Sequence, residues 1–419
     1  MSLLNDFGML TLLNYQNRTL EAIQQHNKGL IVIPTGGGKT VVFMQDAKNR
    51  ITNATEPMTF VIVAPRIMLA VQLCDEFENY LQGENISYLH VHSGETHHPC
   101  STQPQVIAKY NMIAKFCNKH QFIFTTYNSL GRVNEANINV DVVYFDEAHH
   151  CVKPSNFVGI AQTSASADNA YFFTATPRVN NSLQSMNNTD VYGQKIISIP
   201  AQELIAAGSI IPPKVETYEY DAIRTKHNAA YVDSENVVDI LSNLDEDCPK
   251  VLIAAPSTKV IWEMLSESDM LVRLDDMGYK VMHITSKHGA YIGKKKVSRE
   301  VFFEKLNEFG ADPNQKFVLF HYSILSEGMN VHGLTHCILL RNLPSIEMCQ
   351  TIGRVVRMHK EDRQAIAQGK FKPGQFDMYK KPCGKIIVPV SQGVASKRIV
   401  QQLQNVVDAV FVKGEFVAA

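Results

Sequence analysis

The stretch Ile33-Pro34-Thr35-Gly36-Gly37-Gly38-Lys39-Thr40 sets a run of glycines directly before a lysine and a threonine. Glycines in such a turn let backbone N–H groups converge on phosphate oxygens at a helix N-terminus. Lys39 can then reach the β- and γ-phosphates of a nucleotide, and the Thr40 hydroxyl can hold Mg²⁺. The strict phosphate-loop pattern has glycine where this chain has Ile33. A glycine-rich strand-to-helix turn with no ligand is the other reading of the motif by itself.

Two further groups could complete phosphoryl chemistry. Asp146-Glu147-Ala148-His149 follows the apolar Val142-Val143-Tyr144-Phe145. Ligands in open α/β sheets sit beyond the carboxyl ends of strands, so Asp146 is placed to hold Mg²⁺ and Glu147 to polarise an attacking water. Taken alone, the pair also reads as a solvated acidic turn. Gln350-Thr351-Ile352-Gly353-Arg354-Val355-Val356-Arg357 sets two arginines three apart, on one face if the segment is a helix. A guanidinium delivered to a γ-phosphate stabilises transition-state charge; a surface helix with solvated arginines is the alternative.

The elements that must position these groups are legible as short apolar runs, each followed by a turn and a helical pattern. In the first part they are Leu30–Ile33, Phe60–Val63, Phe122–Phe124 and Val142–Phe145. In the second they are Val251–Ile253, Val281–Ile284, Phe317–Phe320, Cys337–Leu340 and Ile386–Val388. Strands alternating with helices predict mostly parallel sheets with helices on both faces. The pattern pauses between Val179 and Lys214, where asparagines, a short helical Ala201–Ala207, Gly208 and Pro212-Pro213 occur. A boundary near Gly208 gives two α/β domains, 1–208 and 209–419. His359 to Lys385 reads as an irregular surface excursion, and Ala395 to Phe411 as a packing helix.

Composition sets the outer limits. With 419 residues, 45% hydrophobic and 19% charged, the chain has the makeup of a globular protein of more than one domain. No apolar run approaches the ~18 residues of a membrane span and the start carries no secretory pattern. The expectation is a soluble protein of the cytoplasm. Lys plus Arg number 40 against 41 Asp plus Glu, so any nucleic-acid binding must be local. Eight scattered cysteines with no CxxC pair fit a reducing compartment.

Taken together and in order, the segments resemble the superfamily 2 helicases and translocases across nearly the whole chain. Tyr15-Gln16 is similar to the adenine-sensing element, with Gln16 as the base contact, although Leu13 stands near where an arginine is common. Gly36 to Thr40 is similar to motif I, Ala64-Pro65-Arg66 to motif Ia, and Thr125-Thr126-Tyr127-Asn128-Ser129-Leu130 to the strand-contacting segment that follows. Asp146 to His149 resembles a DEAH-type motif II, and Thr174-Ala175-Thr176 motif III. Ala255-Pro256-Ser257 resembles motif IV, Ser326-Glu327-Gly328-Met329-Asn330 motif V, and Gln350 to Arg357 motif VI. His150 after motif II, the Thr-Ala-Thr-Pro run and Gln350 look like the branch of restriction-enzyme motor subunits and phage UvsW-type helicases. Asn330 departs from the aspartate of many members.

That resemblance implies two tandem RecA-like domains. ATP would be held by Tyr15, Gln16, Thr35, Gly36, Gly37, Gly38, Lys39, Thr40, Asp146 and Gly328, and Mg²⁺ by Thr40 and Asp146. Lys39, Glu147, Gln350, Arg354 and Arg357 would act in hydrolysis once the domains close. Pro65, Arg66, Thr126, Thr174, Thr176 and Ser257 would meet the nucleic acid. The expected activity is an ATP-dependent helicase or translocase acting as a monomer on DNA in preference to RNA, with a protein partner able to supply substrate choice. The rivals are an ATP-gated clamp, an RNA helicase, or the motor subunit of a nuclease or modification complex.

Weaker signals stay with ordinary structure. His97, His98, Cys100, Cys117 and His120 include a Cys-x₂-His spacing, but match no zinc module, and a loop and helix is the preferred reading. Lys294, Lys295, Lys296 and Arg299, and the lysines at 370, 372, 380, 381 and 385, could contact phosphates, though solvated charge runs are the commoner outcome. Tyr291, Phe371, Phe376 and Tyr379 lie near enough in sequence for base stacking, while Phe302 and Phe303 read as core.

Overall fold

A computed structural model describes residues 12–285, 287–322, 331, 333–391 and 394–414. The chain divides between Ile199 and Pro200 into two compact units, so the helix Ala201–Ala206 and Gly208 lie in the second.

The first unit is a seven-stranded sheet. Its strands are β1 Lys28–Val32, β2 Thr59–Ala64, β3 Ile86–Val91, β4 His120–Thr126, β5 Val142–Phe145, β6 Asn169–Thr174 and β7 Gln194–Ser198. They lie in the order β3-β4-β2-β5-β6-β1-β7, and every pairing is parallel. All six residues of β2 are buried, as a strand covered by helices on both faces requires. The helix Lys39–Asn53 lays Val42, Phe43, Met44, Ala47 and Ile51 on the sheet. Phe43 meets Phe173 edge-on at 5.2 Å, and Phe145 stacks on Phe172 at 4.4 Å. One carboxylate sits inside this layer: Asp46 accepts from Arg50 Nε at 2.9 Å and from the Tyr144 hydroxyl at 2.6 Å. Burial raises its pKa, and Arg50 opposes that shift.

The second unit holds β8 Pro213–Tyr220, β9 Lys250–Ala254, β10 Lys280–Thr285, β11 Gly289–Ile292, β12 Lys295–Val297, β13 Phe317–His321, β14 His336–Leu339 and β15 Gly384–Ser391. Their order is β12-β11-β10-β13-β9-β14-β15-β8. Pairing is parallel except for the antiparallel β10-β11-β12 meander at one edge. Val251, Ile253, Ile261, Met264, Leu274, Val318, Phe320 and Ile338 build one face of its core.

Each apolar run expected to be a strand is one. The pause between Val179 and Lys214 is less empty than expected, because β7 lies inside it with only its central isoleucines half-buried. The irregular excursion contains the helix Lys360–Ala367. The C-terminal helix runs Val394–Val407 and continues as a π-helix, Asp408–Lys413. No helix among the described residues is long and apolar enough to cross a membrane.

Candidate functional site

Strand order brings three of the sequence motifs together. β5, β6 and β1 are neighbours in the first sheet, so the segments leaving their carboxyl ends emerge side by side. The Ile33 N–H donates to the Thr174 carbonyl at 3.0 Å, extending the pairing of β1 and β6 up to the glycine turn. Gly37 N–H then closes onto the Pro34 carbonyl at 3.0 Å. Gly36 and Gly38 have φ of 87° and 71°, a region that strains other residues, and the helix begins at Lys39.

The helix Asn14–Gln24 braces this turn. Tyr15 donates its hydroxyl to the Gly37 carbonyl at 3.0 Å. Gln16 accepts from Leu13 N–H at 2.9 Å, and its Nε2 lies 2.7 Å from where a Cβ on residue 38 would sit. Any side chain at Gly38 would therefore displace Gln16 as well as strain the backbone. Thr35 and Thr40 are half-buried, Gly36 is exposed, and Lys39 is buried.

The Lys39 ammonium lies 3.7 Å from Glu147 Oε1. Glu147 takes a left-handed backbone conformation at φ 46°, which costs a non-glycine residue about 1–3 kcal/mol and is the kind of strain that collects at functional sites. Beside it Asp146 is buried, and two bonds fix its backbone. Its N–H donates to Val63 at 2.9 Å, and its carbonyl accepts the Tyr127 hydroxyl at 2.7 Å. Burial and the neighbouring Glu147 raise the Asp146 pKa, and Lys39 opposes them. Further along, His149 Nδ1 lies 3.5 Å from Glu147 Oε2 and 3.2 Å from Thr174 Oγ1. Thr174 Oγ1 in turn accepts the Thr176 N–H at 3.2 Å. A continuous polar path thus runs from Lys39 to the segment after β6.

These residues fit a nucleotide with Mg²⁺. The glycine turn is a cradle that a Cβ would fill, the lysine stands at a helix N-terminus where the dipole favours anions, and the Asp146 carboxylate is buried with a charge that a cation would stabilise.

In the second unit the helix Ser345–Val355 buries Gln350 and Arg354. Arg357 does not share that helix, contrary to the one-face expectation. The helix ends at Val355, and Arg357 forms an antiparallel bridge with Ile210 while Ile211 N–H donates to the Val356 carbonyl at 2.8 Å. Lys381 secures the same turn: its ammonium donates to the carbonyls of Leu334 at 2.6 Å, Val355 at 2.6 Å and Arg357 at 2.8 Å. The β15 backbone packs under it so closely that a Cβ on Gly384 would meet the Val355 oxygen at 2.5 Å. Next to Arg354 the fully buried His321 is held to a pKa of about 3 by burial and by the charges of Arg354 and Arg341. Gly328 and the rest of the expected motif V lie outside the described residues.

The residues expected to meet nucleic acid are dispersed. Pro65 and Arg66 are half-buried at the start of the helix Ile67–Tyr80. Thr126 is buried at the end of β4, its hydroxyl 3.3 Å from Ser129 Oγ. Ser257 caps the helix Thr258–Ser266 by accepting Val260 N–H at 3.1 Å. Thr174 and Thr176 are buried, and Thr174 gives its hydroxyl to the polar path above.

The basic runs separate. Lys294, Lys295, Lys296 and Arg299 are exposed around the β11–β12 turn, where Tyr291 stacks on His283 at 4.8 Å. Lys381 is not a surface lysine, Lys385 pairs with Glu246 at 2.5 Å and Lys380 with Glu361 at 2.8 Å, so that run is partly structural. Phe371 and Phe376 pack on Tyr379, and Phe302 is core. Tyr127, His321 and Lys381 were not singled out for these roles, because partners distant in sequence define them and no local pattern marks them.

Residues 9–179 match the family model of the res subunit of type III restriction enzymes, and residues 234–359 that of the helicase conserved C-terminal domain. Among solved structures, the chain resembles the ATP-dependent type ISP restriction-modification enzyme LlaBIII bound to DNA, with a TM-score of 0.72 and 14% identity over 96% of this chain and 30% of that one. A nuclease-deletion mutant of the type ISP enzyme LlaGI in complex with a DNA substrate mimic gives 0.65 and 18%, covering 95% of this chain and 29% of that one. The Hef helicase domain of Pyrococcus furiosus gives 0.55 and 14%, covering 92% and 97%. The chain therefore spans less than a third of the length of the two restriction-modification enzymes. No curated protein matches the sequence.

Proposed function

We infer that this chain, which belongs to the superfamily 2 helicases, couples ATP hydrolysis to movement along DNA. The observation that carries the reading is the polar path from Lys39 through Glu147 and His149 to Thr174 and the Thr176 N–H. It joins the groups that hold and hydrolyse ATP to a second chain segment within one unit, as a motor requires.

Tyr15 and Gln16 take the adenine side of the nucleotide, and the Thr35 to Gly38 turn takes its phosphates. Lys39 exchanges Glu147 for the β- and γ-phosphates, which frees the Glu147 carboxylate to accept a proton from the attacking water. Mg²⁺ held by Thr40 and Asp146 neutralises phosphate charge when bound. Burial raises the Asp146 pKa, so a cation bound beside it favours the charged carboxylate. Arg354 and Arg357 act on the charge that develops in the transition state, with Gln350 on the same helix as Arg354. Lys381 and Gly384 position the turn that carries Arg357.

DNA is favoured over RNA because two structurally similar proteins are restriction-modification enzymes solved with DNA or a DNA mimic. A second reading, the motor portion of a restriction or modification assembly, is favoured by the res-subunit family match and by the short span against the type ISP enzymes. Cleavage would then come from another domain or a partner.

The test measures ATPase rate and strand displacement with single-stranded, duplex and forked DNA and with RNA of equal length. DNA is expected to stimulate turnover more than RNA, with binding that weakens steeply as salt rises. Stimulation by RNA with DNA inert at low salt would overturn the DNA assignment and leave the motor intact.

A further inference from the structure

The segment after β3 gathers histidines for which the nucleotide site has no use. His90 N–H donates to the Pro99 carbonyl at 2.8 Å and Ser101 N–H to the His90 carbonyl at 3.0 Å, so residues 92–99 close into a loop at the end of that strand. Against the loop lies the helix Ile67–Tyr80, where Asp75 and Glu78 stand three apart on one face. His98 Nε2 lies 3.2 Å from Glu78 Oε2. His97 Nε2 lies 3.8 Å from the same oxygen and 3.3 Å from Asp75 Oδ1. The donor atoms of Glu78, His97 and His98 all fall within 4.8 Å of one another.

Two imidazole nitrogens from adjacent residues converge on one carboxylate oxygen, at 3.2 and 3.8 Å. The spacing is that of metal ligands. Bonds of about 2.0–2.1 Å place the donors of a tetrahedral ion about 3.3 Å apart, close to the contacts of Glu78 with the two histidines. Packing fixes the His98 ring, which sits 5.2 Å from Tyr88 and 6.0 Å from the buried His90. A ligand held in orientation by its surroundings is a mark of built metal sites. Two imidazoles with one carboxylate suit zinc, whereas Mg²⁺ and Ca²⁺ prefer oxygen alone.

We propose that His97, His98 and Glu78 bind a zinc ion that staples the loop after β3 to the helix Ile67–Tyr80. The donors differ from those suggested by the Cys-x₂-His spacing. His120 pairs with Ile86 at the opposite end of β3 and accepts Met58 N–H at 3.1 Å, and Cys117 caps the helix Pro104–Phe116. A competing pair exists nearby, since Cys100 Sγ lies 3.9 Å from His92 Nδ1.

The full chain is stripped with a chelator and titrated with Zn²⁺, following heat and the unfolding midpoint, with Mg²⁺ and Ca²⁺ in parallel. One saturable zinc per chain is expected, with a raised midpoint that Mg²⁺ and Ca²⁺ do not reproduce. The double variant H97A/H98A should lose that binding, Glu78→Gln should weaken it about tenfold or more, and Cys100→Ser should leave it intact. Failure of wild type to bind zinc, wild-type affinity in both Glu78→Gln and the double variant, or loss of binding in Cys100→Ser would each overturn the assignment.

Discussion

His149 Nδ1 stands 3.2 Å from the hydroxyl of Thr174, so a side-chain contact ties the segment leaving β5 to the end of β6. Thr174→Val keeps the shape and removes the hydroxyl. Stability should fall by about 1 kcal/mol, and ATP affinity should hold. ATPase measured with and without DNA should show a much smaller stimulation. An unchanged ratio of stimulated to basal rate would mean that the contact is structural only.

Lys39→Ala and Glu147→Gln should fail differently. The first removes the cation from the β- and γ-phosphates and should abolish turnover. The second keeps the shape of the carboxylate without its basicity, so nucleotide binding should persist while hydrolysis slows by about 10²–10⁴. A fluorescent nucleotide titration beside a steady-state assay separates the two, and loss of binding in Glu147→Gln would count against its role as base.

Arg354→Ala and Arg357→Ala should each lower kcat by about 10³ while ATP affinity changes far less, because an arginine finger acts on the transition state. Melting curves should accompany the kinetics, since Arg354 is buried and Arg357 is not. Equal losses in affinity and turnover would point to ground-state binding.

Glu246 supplies an acid-dependent contribution to stability. Burial would raise its pKa, but hydrogen bonds and charge from His336 and Lys385 bring it down to about 2 from an ordinary 4.5. The unfolded chain therefore binds more protons between those values, and the stabilisation is fully present above the ordinary value and lost as pH falls toward the folded one. Denaturation midpoints of wild type and Glu246→Gln should differ most near neutral pH and converge as the medium is acidified below about 4. A constant difference across that range would remove the linkage.

The parallel strands were legible because helices cover both faces, and strands such as β2 are therefore apolar throughout. β7 was not, because Gln194, Lys195 and Ser198 are exposed and leave only two isoleucines as a signal. β8 has no buried residue, only exposed and half-buried ones, and β11 and β12 are four and three residues long, too short to show a period. The glycine turn and the Asp146-Glu147 pair could be read because their chemistry is local. Lys381 could not, since a lysine among lysines looks solvated until the carbonyls of Leu334, Val355 and Arg357 are seen around it. The convergence of Asp75 and Glu78 on His97 and His98 joins a helix to a loop beyond the next strand, a distance that no spacing rule spans.

The antiparallel meander at the edge of the second sheet bears on how the molecule behaves when crowded. An open sheet margin is a template on which a neighbouring copy can add a strand, and repeated addition leads to fibrils. Here that margin is β12, three residues long with Lys295 and Lys296 exposed. So short a strand offers few backbone groups to an incoming chain, and two ammonium groups repel the same pair on another copy. The side of the sheet that carries exposed lysines is thereby guarded against self-association, whatever else those charges meet.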